Sequence, residues 1–172
     1  MKFFIVSVFG KDRPGIVAGV SKALYELGLN LEDSSMTRLK GEFTIMLIVS
    51  SEKDIDAEDV LKALKEVGQD FELFINCREL EDVPCTHHEA IYRIVVFGSD
   101  KPGIVYGVTS RLASLGFNIS DLRTEKKNNL YVMVIEVEGK DNMEEVLKEE
   151  MEEIRQDLGV DVSVEIEEEE RL

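Results

Sequence analysis

Two cysteines in 172 residues are too few for a disulfide framework, and they agree with a reducing compartment. Histidine is as scarce. Only His87 and His88 occur, side by side, so the sequence offers no Ser-His-Asp or Cys-His constellation, and it has no phosphate-cradling P-loop. Cys77, Cys85, His87 and His88 are the residues from which a zinc site could be drawn. There is no C-x-x-C pair among them and adjacent histidines fit one tetrahedral ion poorly, so neither a metal nor any other cofactor is expected. Long apolar runs are missing too, none approaching the ~20 residues of a membrane span. Met1 leads into an apolar strand-like run without the basic and apolar segments of a secretion signal, and a cytoplasmic location is the expectation. Positive charge is in deficit throughout. Lys and Arg number 20 against 36 Asp and Glu, for a net charge of −16 and a pI near 4.5. Both halves are acidic, with ten basic and sixteen acidic side chains in residues 1–86 and ten and twenty in 87–172. That sign argues against nucleic acid or an anionic membrane as a partner.

What the sequence does contain is a repetition. Gly10-Lys11-Asp12-Arg13-Pro14-Gly15-Ile16-Val17 returns as Gly98-Ser99-Asp100-Lys101-Pro102-Gly103-Ile104-Val105, with Asp12 and Asp100 88 positions apart. An apolar strand-like run precedes each copy and an apolar pattern of helical period follows it. Each copy therefore reads as an elbow from strand to helix. Pro14 and Pro102 suit the first helical position, where φ is already preset and no N–H is needed. Asp12 and Asp100 bring carboxylates just ahead of that turn, and Gly15 and Gly103 let a backbone or a ligand come close. Such a helix start leaves N–H groups unpaired and attracts a small anion or carboxylate. A plain connection would use similar residues, but duplication at a constant offset with matched flanks speaks against that alone.

Ile16, Val17, Val20, Leu24 and Leu27 form the apolar face of a helix over residues 14–27, ended by Gly28. Strands are expected over 31–39 and 43–49, joined by a turn at Lys40-Gly41. A second helix over 55–67 ends at Gly68. In the strand that follows, Phe71, Leu73, Ile75 and Cys77 alternate with Glu72, Phe74, Asn76 and Arg78. The second copy repeats this order: strand 91–97, helix 102–115, strands 119–126 and 130–138 about Asn128-Asn129, an acidic helix 142–158, and a last strand with Val160, Val162, Val164 and Ile166. Gly19 matches Gly107, Leu24 matches Leu112, Gly28 matches Gly116 and Asn30 matches Asn118, which is the mark of gene duplication.

A strand-helix-strand-strand-helix-strand unit closes as a four-stranded antiparallel sheet with both helices on one face. The expected fold class is therefore α+β, two ferredoxin-like βαββαβ units in tandem: residues 1–80, a joint at 81–89, and residues 90–172. Crossover rules put the first and third strands of each unit in the middle. Gly19 and Gly107, each costing its helix ~1 kcal/mol against alanine, mark points where that helix packs closely on something. The acidic run 167–170 reads as a solvated end.

The Asp-Arg/Lys-Pro-Gly-Ile-Val elbow, the closures Leu27-Gly28-Leu29-Asn30-Leu31 and Leu115-Gly116-Phe117-Asn118-Ile119, and the doubled element order resemble a tandem pair of ACT domains over nearly the whole chain. They look most like two-ACT proteins of the glycine cleavage system transcriptional repressor type. That resemblance implies a small ligand, usually an amino acid, held at a junction between ACT units by the first strand-helix loop and the start of the second strand. Carried onto this sequence, it points to Asp12, Arg13, Gly15, Ile16, Asn30 and Leu31, and to Asp100, Lys101, Gly103, Ile104, Asn118 and Ile119. Helix N-terminal amides suit the carboxylate of an amino acid, while the Asp carboxylate and the Asn carbonyl suit its ammonium. Asn30 and Asn118 are equally residues that settle into a left-handed turn after a glycine, and Arg13 and Lys101 are equally solvated surface charges. The guanidinium fork exists only in the first copy.

The function implied is a non-catalytic, amino-acid-responsive allosteric regulator of amino-acid metabolism or its transcription, acting through a protein partner and associating as a homo-oligomer such as a dimer. Two other readings stand beside it. Acylphosphatases share the small fold and place an arginine near the first strand-helix loop, although theirs is not Asp-Arg-Pro-Gly and the second copy carries Lys101. The other is a pure protein-interaction module without a ligand. RNA binding on an open sheet is disfavoured by the acidic charge and the missing RNP pattern.

Overall fold

A computed structural model describes residues 1–81 and 90–167. They form two compact units. The first runs β1 (Lys2–Lys11), α1 (Ile16–Leu27), β2 (Asn30–Leu39), β3 (Glu42–Ser51), α2 (Ala57–Phe71) and β4 (Phe74–Leu80). The second runs β5 (Ala90–Ser99), α3 (Ile104–Ser114), β6 (Asn118–Lys127), β7 (Leu130–Gly139), α4 (Glu144–Leu158) and β8 (Asp161–Glu167). Sheet order is β2-β3-β1-β4 in one and β6-β7-β5-β8 in the other, with every pairing antiparallel. The α+β ferredoxin-like arrangement is thus present twice, its most apolar strands at the centre of each sheet. Residues 82–89, with Cys85, His87 and His88, and residues 168–172 at the acidic end lie outside the described residues.

Alternation along the strands builds each core. Phe4, Val6 and Val8 of β1 and Phe43, Ile45, Leu47 and Val49 of β3 share one face, and both helices cover it with residues such as Val20, Leu24, Val60 and Leu64. In the second unit Tyr92, Ile94, Val96, Met133, Ile135 and Val137 lie under Val108, Leu112, Leu147 and Met151. Among the described residues, the opposite face of each sheet is covered by neither helix of its own unit. The paired glycines serve close contact between helices: a Cβ on Gly19 would lie 2.7 Å from Val67 Cγ2, and one on Gly107 3.0 Å from Leu158 Cδ1.

The elbow differs from the sequence expectation. Both helices begin at the isoleucine, so Pro14 and Pro102 precede the helix, and Gly15 (φ 96, ψ −11) and Gly103 (φ 93, ψ −5) sit at its cap. Those angles are the third position of a type II turn, which prefers proline before it and glycine in it. Neither Asp12 nor Asp100 caps the helix, and no other side chain does. Helix α2 also runs past Gly68 to Phe71, because Glu72 takes the left-handed ending (φ 56) that the sequence assigned to the glycine. Phe71 is consequently helix and not strand. Gly68 instead makes room for β4, a Cβ there falling 3.2 Å from Ile75 Cδ1. Asn30 and Asn118 open β2 and β6 without positive φ, which removes the left-handed reading of these two residues.

Candidate functional site

At the first elbow the Asp12 N–H donates to the Gly41 carbonyl (2.9 Å) in the β2–β3 turn, and the Asp12 carboxylate accepts from Arg38 (3.3 Å). Arg13 donates to Glu72 (2.7 Å) at the end of α2. The second elbow repeats the plan. The Asp100 N–H donates to the Asn129 carbonyl (3.2 Å), its carboxylate receives Lys126, and Lys101 reaches the Leu158 carbonyl (3.5 Å). Ile16 and Ile104 are buried in the cores, so they offer an elbow ligand only their backbone. The charged elbow residues are therefore engaged within their own unit, through exposed pairs of the kind worth only ~0–1 kcal/mol and readily exchanged.

Asn30 and Leu31 lie elsewhere. They follow the far end of α1, whose twelve residues span about 18 Å. Asn118 and Ile119 stand in the same relation to α3. One unit does not bring its elbow and its asparagine together.

Around Asn30 a polar set forms at a β-bulge, where the pairing with β3 shifts between Leu31 and Asp33. Asn30 Nδ2 donates to Glu32 Oε1 (3.0 Å), and Ser50 Oγ, directly across on β3, donates to the same oxygen. The Ser50 bond first, then the Asn30 bond, hold the Glu32 carboxyl below the ordinary carboxylate range. No cation pairs with Glu32 among the described residues. In the second unit the bulge lies between Ile119 and Asp121, and Asn118 Nδ2 donates to Glu138 Oε2 (3.1 Å), which stands opposite it on β7.

Beside Asn30 a cavity of about 260 Å³ opens between α1 and the β2 edge. Ile45, Leu47 and Val49 of β3 floor it, Val17, Leu24 and Tyr25 of α1 wall it, and Asn30, Leu31 and Ser34 form its rim. Two helices cannot cover four strands completely, and the serines at positions 21 and 34 leave the uncovered strip hollow. The second unit carries Thr109 and Leu122 at the matching positions, both larger. A wider hollow of about 400 Å³ lies between α2 and β4, rimmed by Glu58, Lys62 and Lys65. Those are the solvent-facing charges of α2, with Lys62 3.5 Å from Glu58, and they lack the converging polar set found at Asn30.

Of the residues expected from sequence, Asn30 and Leu31 thus border a cavity, while Asp12, Arg13, Gly15 and Ile16 form a separate elbow. Glu32, Ser34, Ser50 and Glu138 were not anticipated. Their signal was present in the offset: Glu32 and Ser50 align with Ser120 and Glu138, an exchange of the same two residue types between neighbouring strands. Among the described residues no group of three or more His, Cys, Asp and Glu is placed to hold a metal ion. No described helix is long and apolar enough to cross a membrane.

Comparison with known proteins follows this duplication. A family model described as the ACT domain matches residues 2–78 and again 92–165. A UPF0237 protein of Streptococcus mutans is 44% identical over 72 residues, which make up 42% of this chain and 82% of that protein. The relative is therefore close to one unit in length. Among solved structures, an unknown protein from Galdieria sulphuraria is 30% identical with a TM-score of 0.84, covering 97% of this chain and 99% of its own. A protein provisionally described as a glycine cleavage system transcriptional repressor shares the fold at 20% identity and a TM-score of 0.72, covering 97% and 98%.

Proposed function

The chain belongs to the ACT domain family, and from that premise we propose that it is a non-catalytic regulator that binds an amino acid with an apolar side chain beside α1 of its first unit. The observation that carries the reading is the cavity of about 260 Å³, walled by apolar side chains and rimmed at one point by Asn30. An apolar side chain entering it leaves water, which contributes about 25 cal/mol per Å² buried. Asn30 at the rim carries a side-chain carbonyl, an acceptor of the kind an ammonium needs. The elbow of the same unit lies a helix length away, so a ligand that also met elbow amides would take them from a second copy of the chain. A metabolite sensor works at a Kd of roughly 1 μM to 1 mM, or about −8 to −4 kcal/mol.

Regulation follows where the ligand binds two arrangements of the protein unequally. We assign the readout, in the cytoplasm, to a protein partner governing amino-acid metabolism or its transcription. Phe9 and Phe74, stacked 4.9 Å apart on the helix-free face, are 53% and 65% exposed and supply an aromatic contact for such a partner. The ten exposed residues of edge strand β2 support homo-oligomer formation by sheet extension. The same exposed surfaces favour the second reading, an interaction module without a ligand. An acylphosphatase-type reaction would need Arg13 to exchange Glu72, 2.7 Å away, for a phosphate, and the second unit carries Lys101 in its place.

A thermal-shift screen against the twenty amino acids at millimolar concentration tests the proposal, with Ser34→Leu as the control because it installs the residue of the second unit. A ligand at ~100 times its Kd adds ~2.7 kcal/mol, a shift of several degrees. One or more apolar amino acids should produce that shift, and Ser34→Leu should lose it while keeping its own melting temperature. A screen with no response, or a response that Ser34→Leu retains, rejects the cavity as the site.

A further inference from the structure

The last strand of each unit lies at an edge of its sheet, β4 beside β1 and β8 beside β5, and each has a neighbour on one side only. α2 and α4 both have fifteen residues and β4 and β8 both have seven, so the two edges align position for position. Their outer helix faces carry opposite charge. Lys62 and Lys65, the exposed lysines that rim the hollow of about 400 Å³ beside α2, fall on the exposed Glu149 and Glu152 of α4. Neither Lys65 nor Glu149 has an ion-pair partner among the described residues.

The same alignment accounts for the hollow. Leu61 and Gly68 of α2 stand where α4 has Lys148 and Arg155. Arg155 spans its strip and reaches Asp161 of β8 (3.4 Å), whereas Gly68 has no side chain with which to cross, and the strip above Leu73 and Ile75 stays open. On β8, Ile166 lies opposite the buried Tyr92, on the helix-covered side of the sheet, and is nevertheless 44% exposed.

The spacing of helix and strand fixes which residues would meet. A Cβ on Gly68 lies 3.2 Å from Ile75 Cδ1, so these two residues are level. At about 3.3 Å per strand residue and 1.5 Å per helix residue, Cys77 in the middle of β4 is level with a point about four residues before Gly68, between Lys62 and Lys65. Edge strands present unpaired N–H and C=O groups to another strand. Pairing β4 antiparallel with β8 about their middles, Cys77 on Val164, sets Lys62 against Glu152, Lys65 against Glu149 and Ile75 against Ile166. Pairing either edge with its own kind sets lysine against lysine or glutamate against glutamate, which like-charge repulsion disfavours.

We propose that the α2–β4 edge of one copy of the chain binds the α4–β8 edge of a second copy, strand to strand, with Ile166 of the second copy entering the hollow. The contact is heterologous, two unlike edges of the same chain. It uses the edge of the first sheet opposite β2, away from the cavity beside Asn30, and stands independently of the amino-acid reading.

Sedimentation equilibrium of the full chain tests it. Wild-type protein should associate, and its dissociation constant should rise at least tenfold between about 0.05 M and about 0.5 M salt as the exposed charges are screened. Lys62→Glu/Lys65→Glu and Glu149→Lys/Glu152→Lys should each weaken association at least tenfold, with melting temperatures within a few degrees of wild type. Mixing the two variants in equal amounts should restore association to within about threefold of wild type, because each then meets opposite charge on both of its edges. Association that both variants retain places the contact elsewhere, at the β2 edge or a sheet face, and overturns the inference. So does a mixture of folded variants that fails to recover, or wild-type protein that stays monomeric, as it would if these edges served a different protein.

Discussion

Gly19 and Val67 meet where α1 packs on α2, at a separation that would set a Cβ on Gly19 2.7 Å from Val67 Cγ2. Valine has little rotamer freedom with which to yield. Gly19→Ala should therefore destabilise the protein by about 1–2 kcal/mol, overpacking outweighing the ~1 kcal/mol that alanine adds to helix propensity. Gly107→Ala meets the end of a more adaptable side chain, Leu158 Cδ1 at 3.0 Å, and should be close to neutral. Urea denaturation of the two variants reads the difference, and equal effects would refute the packing account.

Gly103 has φ 93, and a Cβ added to it would meet nothing within 4 Å, so Gly103→Ala isolates backbone strain from packing. A loss of about 1–2 kcal/mol is expected from the left-handed conformation alone. At Gly15 the side chain of Phe71 stands 3.4 Å away, and the loss in Gly15→Ala should be at least as large. Chemical denaturation checks both.

Tyr92 is buried, donates to the Lys140 carbonyl (2.9 Å) and accepts the N–H of Met143 (3.1 Å) at the start of α4. The matching residue of the first unit is Phe4, and there α2 is capped by its own Asp56 and Asp59. Tyr92→Phe leaves both groups without this partner and should lower stability by about 1–3 kcal/mol. Phe4→Tyr has no such partners waiting and should not stabilise. Calorimetry of the pair distinguishes them.

Burial pushes the Cys77 thiol up to about 11. With its folded value above the unfolded one, the unfolded state loses its proton first as pH rises, so the stability contribution is whole below about pH 9 and declines between about 9 and 11. In a Cys85→Ser background, iodoacetamide at pH 8 should label Cys77 far more slowly in native protein than in urea. Equal rates would place the thiol outside the core.

Leu122 stands on β6 where Ser34 stands on β2. Binding of an apolar amino acid should accordingly saturate at the first unit, and Leu122→Ser should add a second, weaker class of sites. Isothermal titration counts them; two sites in wild-type protein would contradict the assignment of binding to the cavity.

Much of this was legible along the chain because it depends on neighbours in sequence. Period-two and period-3.6 patterns fixed the element order, and the 88-residue offset from Asp12 to Asp100 showed two units of one design. The close approach at Gly19 was legible for a similar reason: a glycine inside an apolar helix face weakens the helix unless a neighbour needs the space. Where two local rules competed, the sequence reading went astray. Pro14 satisfies both a first helical turn and the second position of a type II turn, and the φ of Gly15 decides for the latter. Gly68 looks like a helix end, but only the passage of Ile75 beside it accounts for a glycine in mid-helix.

The site was less legible because it is made of distances between segments. The motif supplied Asp12 and Asn30 together, eighteen residues apart in sequence; an intervening helix of about 18 Å sets them at opposite ends of the unit. The carboxylate at Asn30 depends on a bulge and on which residue of β3 lies across from it, and neither has a period in the sequence. The cavity depends on which strand the helices leave uncovered, a matter of sheet order. Sequence alone determined the duplicated fold, because hydrophobic pattern and turn chemistry act over a few residues. Tertiary structure decided where a ligand could sit, because register, helix length and strand order bring together residues that no local rule connects.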